Sequence, residues 1–413
     1  MNLLILNHYA TGPREPGGTR HFELARRLVD AGWDVSIMAA SVNHTSGEQR
    51  LAEQESIRLE MIDGVRFVWL RTPPYRGNGM RRILGMLAYS VRSCGRHAMA
   101  VVPRPDVVIG SSVHPGAGVA AAVIARRYQV PFLFEVRDLW PETLIAFGAL
   151  REGSLIARSL GLLERWLYRR AARIITVLPH VSDYVSGLGV DTAKVVWIPN
   201  GVAVADAPVD SPVDSSIQVH GLRIHYVGSL GSANAMDCVI DAMGLVERDG
   251  RKCPIQLHLY GDGPCRGTLM ERARAQGLNS VQFHGAIPKS LVPQVLQEAD
   301  ALIISVRDLP RLYRYGISMN KLFDYLGSGR PVLAAMSVPS NPVSASGGGI
   351  VVPPDDSERL ADAILAMADL DAVARHAIGD LGRQWVQRHH DFTRLAAQLD
   401  GVLREVCSEY PRG

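Results

Sequence analysis

Lys321 and Asp324 stand three residues apart in the run Gly316–Pro331, GISMNKLFDYLGSGRP, and together they are equipped for chemistry. Ser318 is a natural N-cap, because its hydroxyl can accept a bond from a free backbone N–H two or three residues on. Asn320 to Leu326 follow without a helix breaker, Gly327 and Gly329 can end a helix in the left-handed conformation, and Pro331 prevents its resumption. The spacing predicts a short helix with Asn320 and Lys321 in its first turn and Asp324 one turn on. A helix start carries unpaired N–H groups and about +0.5 of a charge, which suits an anion. An ammonium there fits a phosphate, and a carboxylate one turn later fits two vicinal hydroxyls. A phosphate contact plus a diol contact describes a nucleotide. On spacing alone, an ordinary amphipathic helix followed by a strand reads the same way.

A second group of charges, Glu135, Arg137, Asp138 and Glu142 in FEVRDLWPE, stands at the exit of an apolar strand over 130–136. Charges packed there are costly unless they meet each other or a ligand. An Arg137–Asp138 structural ion pair is the alternative. Two glycine loops also follow apolar strands. One holds Gly17 and Gly18, with Thr19 and Arg20 at the next helix start; the other is Gly228-Ser229-Leu230-Gly231. Glycines let a backbone pass close to a ligand at the carboxyl edge of an open sheet. The first loop lacks GxGxxG, so a dinucleotide site is not supported. Arg307, Arg311 and Arg314 crowd the loop before Gly316.

These residues need a scaffold, and the pattern supplies one. A strand over 3–6, a helix over 19–31 and a strand over 35–39 make a βαβ opening. Strands follow over 64–70, 106–110, 130–136, 174–178 and 195–199, with helices over 81–93, 116–128 and 155–173. After a Pro-, Asp- and Ser-rich linker the alternation restarts with strands over 223–227, 255–260, 281–284, 301–305 and 332–336. The expected organisation is an N-terminal α/β domain over 1–198, a hinge and linker over 199–220, and a second α/β domain over 221–392. An amphipathic last helix, about 393–413, carries Leu395, Leu399, Val402, Leu403 and Val406. The 81–93 helix, RRILGMLAYSVRS, could lie on an anionic membrane surface; a core-facing helix with solvated arginines fits as well.

Composition narrows the classes. At 413 residues with 47% hydrophobic and 21% charged content, the chain can build two cores. A net charge of +3, with no basic run interleaved with aromatics, argues against nucleic acid. The five cysteines include no CxxC pair, so neither a disulfide framework nor a zinc site is indicated, and a reducing cytoplasm is expected. No apolar run reaches the length of a membrane span, and MNLLILNHY reads as a first strand rather than a signal peptide. No DxD motif ends an apolar strand, so no metal site is expected.

GISMNKLFDYLGSGRPV resembles the signature segment of family 4 glycosyltransferases, retaining enzymes of the GT-B fold. It is most similar to the bacterial subgroup that builds O-antigen, capsule or exopolysaccharide on a lipid carrier. FEVRDLWPE resembles the same subgroup, and IPNGV at 198–202 resembles the family's interdomain hinge. The resemblance implies two Rossmann-like doubly wound domains facing a central cleft, with the last helix crossing back to the first domain. It implies a nucleotide-sugar donor, a UDP-sugar, on Gly228, Ser229, Gly231, Arg307, Ser318, Asn320, Lys321 and Asp324, with the Gly17–Gly18 loop closing over its phosphates. Asp324 matches the family's ribose-binding glutamate; Gly316 stands where a second glutamate is usual, and Arg137 where many members have His. The family's lysine after the second glycine loop is absent, which assigns that charge to Lys321, helped by Arg307. Thr19, Arg20 and Arg137 fall on the side of the acceptor, a polyprenyl-diphosphate-linked saccharide. Glu135 or Asp138 is then the candidate proton acceptor, unless the diphosphate itself takes that role. The moved sugar would be an N-acetylated hexosamine or its deoxy derivative, and the location the cytoplasm, at the inner face of the membrane. Two other readings stay open: a UDP-sugar epimerase of the same architecture, and a non-catalytic nucleotide-sugar-binding partner of a polysaccharide assembly complex.

Overall fold

A computed structural model describes residues 1–15, 17–44, 46–75, 77, 79–203, 221–250 and 254–410. It divides into unit 1, Met1–Asn200 with Phe392–Gly413, and unit 2, Gly201–Asp391. Of the expected hinge and linker over 199–220, residues 204–220 lie outside the described residues.

Unit 1 runs β1 (Asn2–Leu6), α1 (Arg20–Asp30), β2 (Asp34–Ala40), β3 (Ile57–Ile62), β4 (Val65–Leu70), α2 (Met80–Ser93), β5 (Val107–Ser111), α3 (Pro115–Tyr128), β6 (Phe132–Val136), α4 (Leu155–Arg170), β7 (Arg173–Thr176) and β8 (Val195–Trp197). The sheet order is β3-β4-β2-β1-β5-β6-β7-β8. All pairings are parallel except β3 with β4. Strands such as β1 and β5 read as largely apolar runs because helices cover both faces of a parallel sheet. The β3 strand has no place in the sequence reading above. Its signal is Asp63-Gly64, both at positive φ (46° and 79°), which form a two-residue hairpin turn into β4. Its residues are mostly half-buried or exposed, so it lacks the apolar run that marks its neighbours.

Unit 2 runs β9 (Leu222–Val227), α5 (Met236–Arg248), β10 (Ile255–Tyr260), β11 (Val281–Gly285), β12 (Ala301–Ser305), α6 (Asn320–Gly327), β13 (Val332–Ala335) and β14 (Gly349–Val352). Its sheet, β11-β10-β9-β12-β13-β14, is parallel throughout. The last helix, α7 (Phe392–Glu409), belongs to unit 1 and packs on α1. Leu395, Leu399, Leu403 and Val406 enter the same core as Phe22, Leu24 and Leu28. Trp33 Nε1 donates to Asp400 at 2.6 Å, and Arg173 pairs with Glu405 at 2.7 Å.

Each sheet reverses strand order once beside its central strand, at β1/β5 in unit 1 and β9/β12 in unit 2. Loops leaving such neighbouring strands part in opposite directions and open a crevice at the carboxyl edge. Residues just after β1 and β5, and just after β9 and β12, are therefore the ones the fold presents to a ligand.

Candidate functional site

In unit 2 the loop after β9 is shaped by a ring of hydrogen bonds. Lys321 Nζ donates to the Tyr226 hydroxyl at 2.9 Å and to Asn234 Oδ1 at 2.6 Å. Tyr226 in turn donates to Ser229 O at 2.6 Å, and Asn234 Nδ2 donates to the same carbonyl at 2.9 Å. The ammonium also lies 4.6 Å from the centre of the Tyr226 ring, a cation–π contact. Gly228 allows this: a Cβ there would stand 3.1 Å from the Tyr226 hydroxyl and 3.3 Å from Lys321 Cδ. The loop is held from behind by Gly261 and Gly263, at φ 152° and 159°, where a Cβ would strike Gly228 O and Leu230 O.

Among the described residues no carboxylate pairs with Lys321. Burial without a counter-charge lowers its pKa from 10.5 to about 7. Two of its three donors are used by neutral groups, which leaves one for an anion. Asp324, one turn further along α6, is exposed, and burial by the surrounding protein raises its pKa to about 6, against the weaker pull of Lys289. Water reaches this carboxyl even though protein mass displaces part of its solvation. Leu322, Phe323, Tyr325 and Leu326 are buried and fix α6 to the sheet, and Tyr325 Oη accepts from Val227 N at 2.6 Å.

Two expectations in unit 2 need correcting. Ser318 is not the cap of α6: the N-cap is Met319, with no side-chain cap bond. The first N–H groups of α6 therefore lack the hydroxyl expected to satisfy them. Arg307 is not a free cation at a diphosphate. Its guanidinium bonds Asp237 at 2.5 Å, Asp355 at 2.8 Å and Ser232 O at 3.2 Å, so it braces the segment that carries Asn234.

In unit 1, Glu135 and Arg20 are also committed elsewhere. Glu135 accepts from Arg20 Nε at 2.9 Å and from His21 Nε2 at 2.5 Å, and all three side chains are buried. Burial opposes charge on Glu135, but His21, Arg20 and Arg137 together hold its carboxyl well below the usual range. Arg20 donates further to Ile198 O at 2.8 Å and to Pro199 O. This network ties the exit of β6, the start of α1 and the exit of β8 together. It removes Glu135 from the proton acceptors and Arg20 from the acceptor side. Thr19 is the N-cap of α1, without a side-chain cap bond to it. The Gly17–Gly18 loop folds inward: Thr11 Oγ1 donates to Gly18 O at 3.3 Å, and a Cβ on Gly17 would meet Thr11 and His44.

Arg137 and Asp138 form no ion pair with each other. The Arg137 amide donates to Ser112 Oγ at 3.0 Å. Asp138 is exposed at the exit of β6; surrounding protein raises its pKa, while Arg137 and Arg82 pull it down. It is the carboxylate of this segment that remains open to solvent and without a hydrogen bond among the described residues.

A histidine cluster occupies the β1/β5 crevice and was not among the sequence-predicted residues. His8, after β1, meets His114, after β5, through a 3.0 Å ring-nitrogen contact. Tyr9 stacks on His44 at 4.8 Å and accepts from Arg82 Nε at 2.8 Å. Burial, and then Arg82, hold His114 down to about 3 and His44 to about 4, so both are neutral donors or acceptors at physiological pH. Their position directly after parallel strands was the available signal.

Residues 17–201 match the family described as "Glycosyl transferase 4-like domain", and residues 221–369 match "Glycosyl transferases group 1". The chain therefore carries the two glycosyltransferase domains of a GT-B protein, one after the other. A curated relative, "Probable glycosyltransferase WbjE" of Pseudomonas aeruginosa, is 22% identical over 341 residues, covering 80% of this chain and 81% of that protein. Sucrose-phosphate synthase from Thermosynechococcus elongatus has a similar structure, with a TM-score of 0.71 and 17% identity over 99% of both chains. Anabaena HepE, solved in complex with UDP and glucose, gives a TM-score of 0.68 and 17% identity over 97% of this chain and 99% of that one.

Proposed function

We propose that the protein transfers a sugar from a UDP-linked nucleotide sugar to a lipid-linked saccharide in surface polysaccharide biosynthesis, with retention of configuration. The observation that carries this is Lys321: a half-buried ammonium without a counter-charge among the described residues, set against a glycine loop and the start of a helix. Such a cation attracts an anion of complementary size, and a nucleoside diphosphate fits both it and Asp324. Charge developing on the leaving diphosphate would fall on Lys321 and the α6 N–H groups, which are positioned before the reaction begins. Asp324 takes the ribose hydroxyls. The complex of HepE with UDP and glucose supports this class of donor. Asn320, Gly228, Ser229 and Gly231 line the donor side; Arg137, Arg82 and the histidine cluster serve the acceptor. Asp138 replaces Glu135 as the carboxylate able to accept the acceptor's proton. The moved sugar is an N-acetylated hexosamine or its deoxy derivative, no metal takes part, and α2 brings the protein to the membrane that holds the acceptor.

Incubation with a panel of labelled sugar nucleotides and lipid-extracted membranes tests the reading. One donor should label the lipid fraction, and Lys321→Ala should abolish the labelling. Conversion of a donor into its epimer without any acceptor would overturn the transferase reading.

A further inference from the structure

In an ordinary surface helix the large apolar residues face the core and the small or polar ones face water. Two helices of unit 1 depart from this, carrying large apolar residues on their outer faces as well as on their inner ones. On α2 the buried residues are Gly85, Tyr89 and Ser93, while Ile83, Leu84, Leu87 and Val91 are exposed, Val91 by 73%. On α4, Leu155 (81%), Ile156, Leu162 (70%) and Trp166 are exposed, while Ala157, Glu164, Leu167 and Tyr168 are buried. Both helices flank α3 on one side of the sheet.

The exposed charges on α2, α3 and α4 have one sign. Exposed cations are Arg81 and Arg92 on α2, Arg126 and Arg127 on α3, and Arg158, Arg169 and Arg170 on α4. The single acid in the three helices is Glu164, buried against the Tyr168 and Tyr184 hydroxyls at 3.0 and 2.7 Å. Beside α4, Glu142 and Glu152 stand in the segment that precedes it. By contrast α1 and α7, which pack on one another, mix signs, with Glu23, Asp30, Asp400 and Glu405 among their arginines. A chain of net charge +3 has thus gathered arginine-rich, apolar outer faces without an exposed acid on α2, α3 and α4.

We infer that α2 and α4 together form a docking face for an anionic lipid bilayer. This rests on the proposed membrane-borne acceptor for its purpose, but α4 and the charge asymmetry are separate observations. Both features match a bilayer surface: leucine, isoleucine and tryptophan enter the headgroup–acyl boundary, and arginines at its level meet lipid phosphates. Two such helices fix an orientation, where one would leave the protein free to roll.

The test is co-sedimentation with phosphatidylcholine vesicles with and without phosphatidylglycerol, no nucleotide sugar or acceptor being added. The wild type should bind only the anionic vesicles, and less as salt rises. Reversal of Arg158, Arg169 and Arg170 to Glu, with α2 untouched, should weaken binding at least about tenfold. Leu155→Gln with Leu162→Gln should also weaken it, whereas Arg26→Glu on α1 should not. Brominated lipid should quench wild-type fluorescence more than that of Trp166→Phe. Unchanged binding by both α4 variants would overturn the inference, as would equal binding to neutral vesicles. So would a solution dimer that dissociates on Leu162→Gln, since a second copy would then cover the face. Donor binding and hydrolysis are measured without vesicles, so failure of the glycosyltransferase reading is distinguishable from failure of the docking face.

Discussion

Replacing Lys321 by Met should stabilise the protein and destroy its activity, and the size of the first effect follows from the site. The ammonium titrates near 10.5 in the unfolded chain and near 7 in the fold. Because the folded value is depressed, the folded state is penalised wherever the lysine must be charged. That penalty is complete below pH 7, declines as pH rises from 7 to 10.5, and is absent above. Taken at face value the shift is worth roughly 5 kcal/mol. The side chain retains contact with water, so screening reduces the expected gain for Lys321→Met to on the order of 1–2 kcal/mol. For a unit of this size that is a rise in Tm of about 2–8 °C at pH 6, vanishing toward pH 10. Thermal melts across pH measure it. Titration calorimetry supplies the second arm. A diphosphate restores charge to the ammonium, so UDP binding at pH 8 should take up a fraction of a proton in the wild type and less in the variant. Proton uptake is read from the dependence of binding heat on buffer ionisation enthalpy. Wild-type affinity for UDP in Lys321→Met, or a loss of stability at every pH, would refute the reasoning.

Asp324→Asn should raise the donor KM markedly and Asp324→Glu should be tolerated better; a 2′-deoxy donor should bind less well to the wild type but lose little more with Asp324→Asn, and simple additivity of the two losses would separate the carboxylate from that hydroxyl. Glu135→Gln should lower stability by about 3–5 kcal/mol, because Arg20 is left without its buried counter-charge, and a stable but inactive Glu135→Gln would return Glu135 to the catalytic residues. The same carboxyl, held far below its usual pKa, contributes stability that is present above about pH 4.5 and is lost as pH falls toward its folded value, so acid melts should show that loss in the wild type and not in Glu135→Gln. Transfer should persist in excess EDTA; loss on chelation with recovery on adding magnesium or manganese would place a metal at the donor phosphates.

How much of this was legible in the sequence depended on whether a residue's partner was local. The alternation of strand and helix is a local signal, and it foretold two α/β sheets; that the last helix joins the first unit came from the family resemblance. That Lys321 and Asp324 share one short helix was legible for the same reason, since they are three residues apart. Glu135 and Arg20 were not, because their partners are 115 residues apart and only the sheet brings them together. In the sequence each is a charge at a ligand-facing edge; in the structure each neutralises the other. Arg307 misled in the same way, since Asp237 and Asp355 lie 70 and 48 residues from it. The apolar content of α2 was read correctly and its direction was not fixed, because helical periodicity shows that a stripe exists without saying which side the sheet covers. A charged residue at a ligand-facing edge is therefore informative only when the fold has left it without a counter-charge. By that criterion Glu135, Arg20 and Arg307 are committed to ion pairs, whereas Lys321, Asp324 and Asp138 have none among the described residues, and the proposed function rests on them for that reason.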